Sequence, residues 1–225
     1  SGNCMRNVTA DHFAGAAADE VDDPRIWAEI VRQWSTIHPE FLFLPRKFKI
    51  AVSGGGAERA AMAVHDIGLR LTRSASGEIG FQVQVGGGLG RTPMLAKIMR
   101  NFLPTKDLLS YLEAILRVYN QLGRRDNKYK ARIKIMVHEL GIETMTDMVE
   151  AEWAAIKDTA LALTDAEILK MRGYFAPPSF RSLTANAPDY LRSLELDRDF
   201  ANWVSSNVQA HREPGYAIVT VSLKS

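Results

Sequence analysis

The hydrophobic period changes once along this chain, and that change confines it to a small set of architectures. Up to Gly86-Gly87-Gly88 the apolar residues follow strand spacing. Phe41 to Val52, Val64 to Leu71 and Gly80 to Val85 read as strands, the last two joined into a hairpin by Ser74-Ala75-Ser76-Gly77. Beyond the glycines the spacing is helical, over Pro93 to Phe102, Lys106 to Leu122, Asp126 to Leu140 and Ile142 to about Ala154, with Pro104, Gly123 and Gly141 as breaks. One helix precedes the strands, from Arg25 to Ile37, with Ile26, Ile30, Val31 and Trp34 on one face and Pro24 suited to its first turn. Strands followed by helices predict an α+β fold, a mixed or antiparallel sheet covered by helices.

From Trp153 to Pro214 the pattern loosens around Pro177-Pro178 and Pro188, so residues 153–213 read as a connector between a first domain, 1–152, and a new strand within 214–225. That strand, Tyr216 to Leu223, alternates cleanly, and its sheet neighbours lie either downstream or in an earlier segment. Ser1-Gly2-Asn3 carries neither an initiator Met nor a signal-peptide pattern, and the chain reads as an internal piece of a longer one.

Several function classes lack support. With Lys+Arg 28 against Asp+Glu 26 there is no global field for nucleic acid or an acidic membrane surface, so basic chemistry must be local. No apolar run approaches the roughly 20 residues of a membrane span. The single cysteine, Cys4, excludes an internal disulfide framework or a paired-cysteine zinc site and fits a reducing cytoplasm. His12, His38, His65, His138 and His211 show no metalloprotease spacing, and no serine sits in a nucleophile elbow. Arg91 and Arg59 stand where a dinucleotide fingerprint needs its last small residue, so the glycine runs are turns or points of close backbone approach.

Leu44-Pro45-Arg46-Lys47-Phe48-Lys49 is the segment with most chemical content. In a strand, Lys47 and Lys49 share a face with Cα atoms roughly 6.6 Å apart, twice the rise per residue. Two ammonium groups so close suit an intervening anion, or else an edge strand that discourages aggregation. Arg46 and Phe48 take the other face, which weakens the edge-strand account. Arg6 alone reads as a surface charge. On the predicted 126–140 helix, Arg124, Lys128 and Arg132 step along one face, flanked by Lys130 and Lys134; this is a binding face for several carboxylates or phosphates, or equally a solvated helix surface.

These segments, Asn3-x-x-Arg6-Asn7, Leu44 to Lys49, Val85-Gly86-Gly87-Gly88-Leu89 and Leu140-Gly141-Ile142-Glu143, occur in the order seen in sirohaem-dependent sulfite and nitrite reductases. The first two-thirds resembles the first sirohaem-binding half of those duplicated enzymes, and the last dozen residues resemble the opening strand of their second ferredoxin-like half-domain. The resemblance implies multi-electron reduction of sulfite to sulfide, or of nitrite to ammonia, at a sirohaem coupled to a [4Fe–4S] cluster. It implies that Lys47, Lys49 and Arg6 hold the anionic substrate and help deliver protons. It implies that Arg46, Arg124, Lys130 and Arg132 pair with the sirohaem carboxylates, and that Gly87 and Gly88 let backbone approach the macrocycle. The family's four cluster cysteines have no counterpart in this chain, and Cys4 matches none of them, so the isolated segment is expected to lack full activity. A flavoprotein reductase or ferredoxin would donate electrons; nucleic acid and membrane are not expected partners. The competing reading is a non-catalytic anion or nucleic-acid binding module using the same basic segments.

Overall fold

Ile26, Trp27, Ile30 and Val31 recur on one side of a helix, and burying that stripe requires an apolar sheet face beneath it. The computed structural model, which describes residues 2–36, 38–182 and 187–223, supplies that face. Its main sheet has five strands in the order β1 (Met5–Ala10), β2 (Phe48–Ser53), β3 (Ile67–Arg73), β4 (Ile79–Val85) and β5 (Lys97–Pro104). The first three run parallel, with α1 (Pro24–Thr36) as the crossover between β1 and β2, and β4 and β5 add antiparallel pairs. The fold is α+β with a mixed sheet, as expected. Ile37, the last residue of the predicted first helix, and residues 224–225 lie outside the described residues.

Pairing register sets Ile50 and Val52 opposite Ile67 and Leu69, and Ile67, Leu69 and Leu71 opposite Val85, Val83 and Phe81, all of them, with Phe48, essentially inaccessible to solvent. Trp27 of α1 packs edge-on against Phe81, with ring centroids 5.3 Å apart. Helix α2 (Leu108–Leu122) is buried along most of its length, Tyr119 meeting Phe48 at 5.5 Å. Helices α3 (Ile133–Leu140) and α4 (Ile142–Ile156) pack beside it, separated by Gly141, whose φ of 83° ends α3. The opposite sheet face is polar: Lys49, Arg70, Gln82 and Gln84 project from it half-buried.

Three elements differ from the sequence reading. The predicted strand from Phe41 begins only at Phe48, because Pro39–Leu42 turns as a 3-10 helix and Pro45 lacks an amide for a ladder. The predicted strand from Val64 likewise starts at Ile67, after a 3-10 turn at Met62–Val64. The predicted helix from Pro93 to Phe102 is instead strand β5. Its register against β4 slips twice, between Phe81 and Val83 and again between Val83 and Gln84, which erases the clean alternation that marks a strand.

The segment after α4 forms three further helices, α5 (Asp165–Tyr174), α6 (Pro188–Leu196) and α7 (Arg198–Asn207). Helix α5 opens with a capping box between Thr164 and Glu167 and buries Met171. The C-terminal strand is short, β7 (Ala217–Val219), and pairs with β6 (Val208–Ala210), the earlier-segment alternative. That hairpin rests on the loop after β1, where the Arg212 amide donates to the Ala16 carbonyl at 2.8 Å.

Candidate anion and cofactor site

The segment before β2 is pinned at both ends. The amides of Leu44 and Phe48 donate to the carbonyls of Asn3 and Cys4, each at 3.0 Å, so Pro45-Arg46-Lys47 spans a fixed gap beside β1. Lys47 therefore lies in the turn just before β2, with Lys49 inside the strand, and the two are not alternate residues of one strand as expected. Arg6 reaches the same place by another device: β1 pairs Met5 with Phe48 and Asn7 with Lys49, leaving Arg6 as the extra residue of a bulge. Bulges re-aim side chains, and this exposed arginine stands near enough to Lys47 to lower its pKa.

The electrostatics of Lys47 register the convergence. Partial loss of hydration lowers its pKa from the ordinary lysine value, and Arg132, Arg6, Lys49 and Arg46 lower it further. Every charge named is positive. Among the described residues Arg6, Arg46, Lys47 and Lys49 have no carboxylate partner, although eleven ion pairs occur elsewhere in the molecule.

Arg132 is the exception, its Nε and Nη2 donating to Asp66 Oδ1 at 3.0 and 2.6 Å. Asp66 is wholly buried, and its Oδ2 accepts from the Lys49 amide at 2.9 Å. Burial pushes the Asp66 carboxyl upward, and Arg132 with the Lys49 amide pulls it back. Tyr119, deep in α2, donates its hydroxyl to the Ala131 carbonyl at 2.7 Å and meets the Arg46 amide at the same oxygen.

The predicted basic helix face is not formed. Residues 126–132 are turns, since Asn127 Oδ1 accepts the Tyr129 amide at 3.0 Å and Tyr119 captures the Ala131 carbonyl that a helix would use internally. Arg132 flanks α3 at its N-terminus and joins the cation group. Arg124 is exposed and engaged with Asp126 at 2.7 Å, and Lys130 is exposed on the turn. Neither is among the groups acting on Lys47.

The glycines divide. A Cβ on Gly87 would fall 2.4 Å from the Ala63 carbonyl oxygen and 2.6 Å from that of His65, so packing against its own chain already demands glycine there. A Cβ on Gly88 would lie 3.0 to 3.1 Å from the side chains of Lys134 and Arg132, so this glycine borders the cations. Lys134, only a flanking charge in the sequence, is buried and donates to the carbonyls of Gly88, Leu89 and Thr92, which fixes the loop after β4. Asp66, Lys134 and Tyr119 are the residues that sequence reasoning missed. A lone carboxylate at the head of the apolar run Ile67, Leu69, Leu71 was the one available signal.

The family model described as the nitrite and sulphite reductase 4Fe-4S domain matches residues 1–157. The chain belongs to that family. Sulfite reductase [ferredoxin] 1 of Mycolicibacterium paratuberculosis is 33% identical over 152 residues, covering 68% of this chain and 27% of that protein. The assimilatory ferredoxin-dependent nitrite reductase of Haloferax mediterranei is 31% identical over 157 residues, again 68% and 27%. The structure of Mycobacterium tuberculosis NirA protein superposes with a TM-score of 0.64 at 30% identity, covering 68% of this chain and 28% of that one. Dissimilatory sulfite reductase I shares the fold over 92% of this chain and 62% of its own, with a TM-score of 0.53 at 10% identity. The chain thus spans little more than a quarter of the curated nitrite and sulphite reductases it matches.

The residues can be tested against the family's cofactors. A [4Fe–4S] cubane takes four thiolates, and this sequence holds Cys4 alone. Among the described residues no group of three His, Cys, Asp or Glu could hold a metal. Cluster ligation therefore does not fit this chain's own side chains. A group bearing several carboxylates does fit, because unpaired guanidinium and ammonium groups converge where it would need them. No helix among the described residues is long and apolar enough to cross a membrane.

Proposed function

We propose that this chain supplies the oxyanion-binding and sirohaem-facing part of a sulfite or nitrite reductase. The observation that carries the reading is the convergence of Arg6, Arg46, Lys47, Lys49 and Arg132 with a single carboxylate, Asp66, among them. Sirohaem, when bound, would supply the iron at which sulfite is reduced to sulfide or nitrite to ammonia, the electrons coming from the external donor. Arg46 and Arg132 would hold its carboxylates, with Arg124 and Lys130 reaching from the 124–130 turn, and Gly88 leaves room beside Arg132.

Lys47, Lys49 and Arg6 hold the small oxyanion. Like charges at this density repel one another, and a bound anion would relieve that repulsion, which favours binding. The same field makes Lys47 Nζ a better proton donor than an ordinary lysine. It can release a proton to a substrate oxygen that leaves as water and recover one from solvent. Electrons arrive from a ferredoxin, as the names of the relatives suggest, or from a flavoprotein, in a cytoplasmic setting. Residues 1–152 would form the first sirohaem domain, 153–213 the connector, and 214–225 the opening of a second half-domain.

The test is turnover with sulfite and with nitrite in the intact enzyme carrying Lys47→Ala and Lys49→Ala. Loss of both activities with an unchanged sirohaem absorption spectrum is the expected result, and an unaffected rate refutes the assignment.

A further inference from the structure

We propose that Asp66 is the positioning residue of this anion site, fixing Lys49 and Arg132 relative to each other and offsetting part of the charge that Arg132 brings to the bound anion. This rests on the oxyanion-binding reading above and assigns a role to a residue that touches no ligand itself.

The geometry supplies both halves of the role. The backbone ladder between β2 and β3 begins at Ile50 opposite Ile67, so the Lys49 amide is the first one beyond it. Asp66 Oδ2 takes that amide at 2.9 Å, a side chain standing in for the next rung. Oδ1 of the same carboxylate holds Arg132 from the far side of the site, and the Asp66 carbonyl accepts the Gly86 amide at 3.0 Å. One residue thereby ties together β2, the start of α3 and the glycine turn. Both hydrogen bonds of Arg132 use Nε and Nη2, so its Nη1 has no partner among the described residues and lies along the Gly88 backbone.

A buried ion pair adds little stability beyond what an apolar pair of the same volume would give, so stability alone does not account for this one. Its electrostatic effect is specific. Arg132 is the foremost of the charges acting on Lys47, ahead of Arg6 from β1 and of Lys49 and Arg46 from the lysine's own segment. His65, adjacent to Asp66, is turned to the Ala61 carbonyl through Nδ1 at 2.8 Å. Asp66 is the carboxylate paired with Arg132, so removing its charge leaves the field of that guanidinium on Lys47 unopposed.

The experiment titrates the ε-methylene of Lys47 by carbon NMR in the full chain, assigned with Lys47→Arg, with and without inorganic sulfite. Asp66→Asn keeps the size of the side chain and removes its charge. The expected result is a Lys47 midpoint lower than wild type by about half a pH unit or more. Mere loosening of the site moves the midpoint the other way, toward an ordinary lysine, and that outcome or an unchanged midpoint overturns the proposal. Should Asp66→Asn fail to fold, Arg132→Met is compared with the charge-neutral double variant Asp66→Asn/Arg132→Met. The proposal expects a higher Lys47 midpoint in the single variant, where the carboxylate remains, and equal midpoints overturn it. Sulfite should raise the wild-type midpoint. No response to sulfite anywhere overturns the binding reading, whereas the order of midpoints among the variants judges Asp66 alone.

Discussion

Two corners of this molecule handle charge in opposite ways. At the end of the loop after β1, Asp22 receives Arg172 from α5 and the indole of Trp27, Asp23 receives Arg25, and Asp19 receives Arg59. Around Lys47, cations accumulate and only Arg132 is paired. Both corners are built from the same near-neutral composition. The first joins elements of the fold by matched hydrogen bonds, and the second, on the proposed reading, is matched by a bound anion. Paired charge marks structure here, and unpaired charge of one sign marks the proposed site.

The contrast breaks most visibly in turnover. Replacing both Lys47 and Lys49 by Ala should lower reductase activity of the intact enzyme about 10²- to 10⁴-fold, the range for losing a positioned proton donor. Thermal stability should stay the same or rise, since repulsion is removed, and a large loss of stability would show that these lysines are structural after all.

The paired corner should behave in reverse. Asp22→Ala leaves the Trp27 indole and the Arg172 guanidinium without their acceptor. It should cost about 2 to 3 kcal/mol in denaturant unfolding while leaving sulfite affinity unchanged.

Glu20 sharpens the comparison because it is the strained member of that corner. Burial, with Asp23 and Asp11 nearby, pushes its carboxyl up to about 7 from 4.5, against the pull of the Gly15 amide. A carboxyl whose folded pKa is raised binds its proton more tightly folded than unfolded, so its contribution favours the fold below about 4.5 and is lost as pH rises through about 7. Melting temperature should therefore fall across that window, and Glu20→Gln should flatten the fall. An unchanged slope would mean that Glu20 is solvated.

The smallest effect belongs to Arg124, exposed and already matched to Asp126. Arg124→Ala should change carboxylated-porphyrin affinity less than Arg132→Ala does, measured by fluorescence titration with uroporphyrin. Equal losses would show that the exposed turn holds the carboxylates as firmly as Arg132 does.

Much of this was legible in the sequence, for identifiable reasons. The hairpin of β3 and β4, the buried helix α2 and the stripe on α1 carry strong periodicity, because each buries one continuous face. Strand β1 was not read as a strand, since Arg6 and Asn7 interrupt its β character and its partner lies some forty residues away. Strand β5 was read as a helix because its bulged register hides the alternation. Lys47, Lys49, Arg6 and Arg46 were chosen together on their order along the chain, and the structure brings them together. Arg124 and Lys130 were chosen on a helical face that a tyrosine hydroxyl and an asparagine turn prevent from forming. Asp66 was missed because its partners are a backbone amide and a side chain 66 positions away.

Tyr119 has a wider consequence. One phenol oxygen sits between the Arg46 turn and the Ala131 turn, so the gap across the mouth of the site is measured off from the middle of α2. The Tyr119 hydroxyl thus ties the Ala131 turn to the interior of α2, beside the Arg46 turn. On the proposed reading, the spacing of the cations would be set from the interior, while surface substitutions would change the charge there.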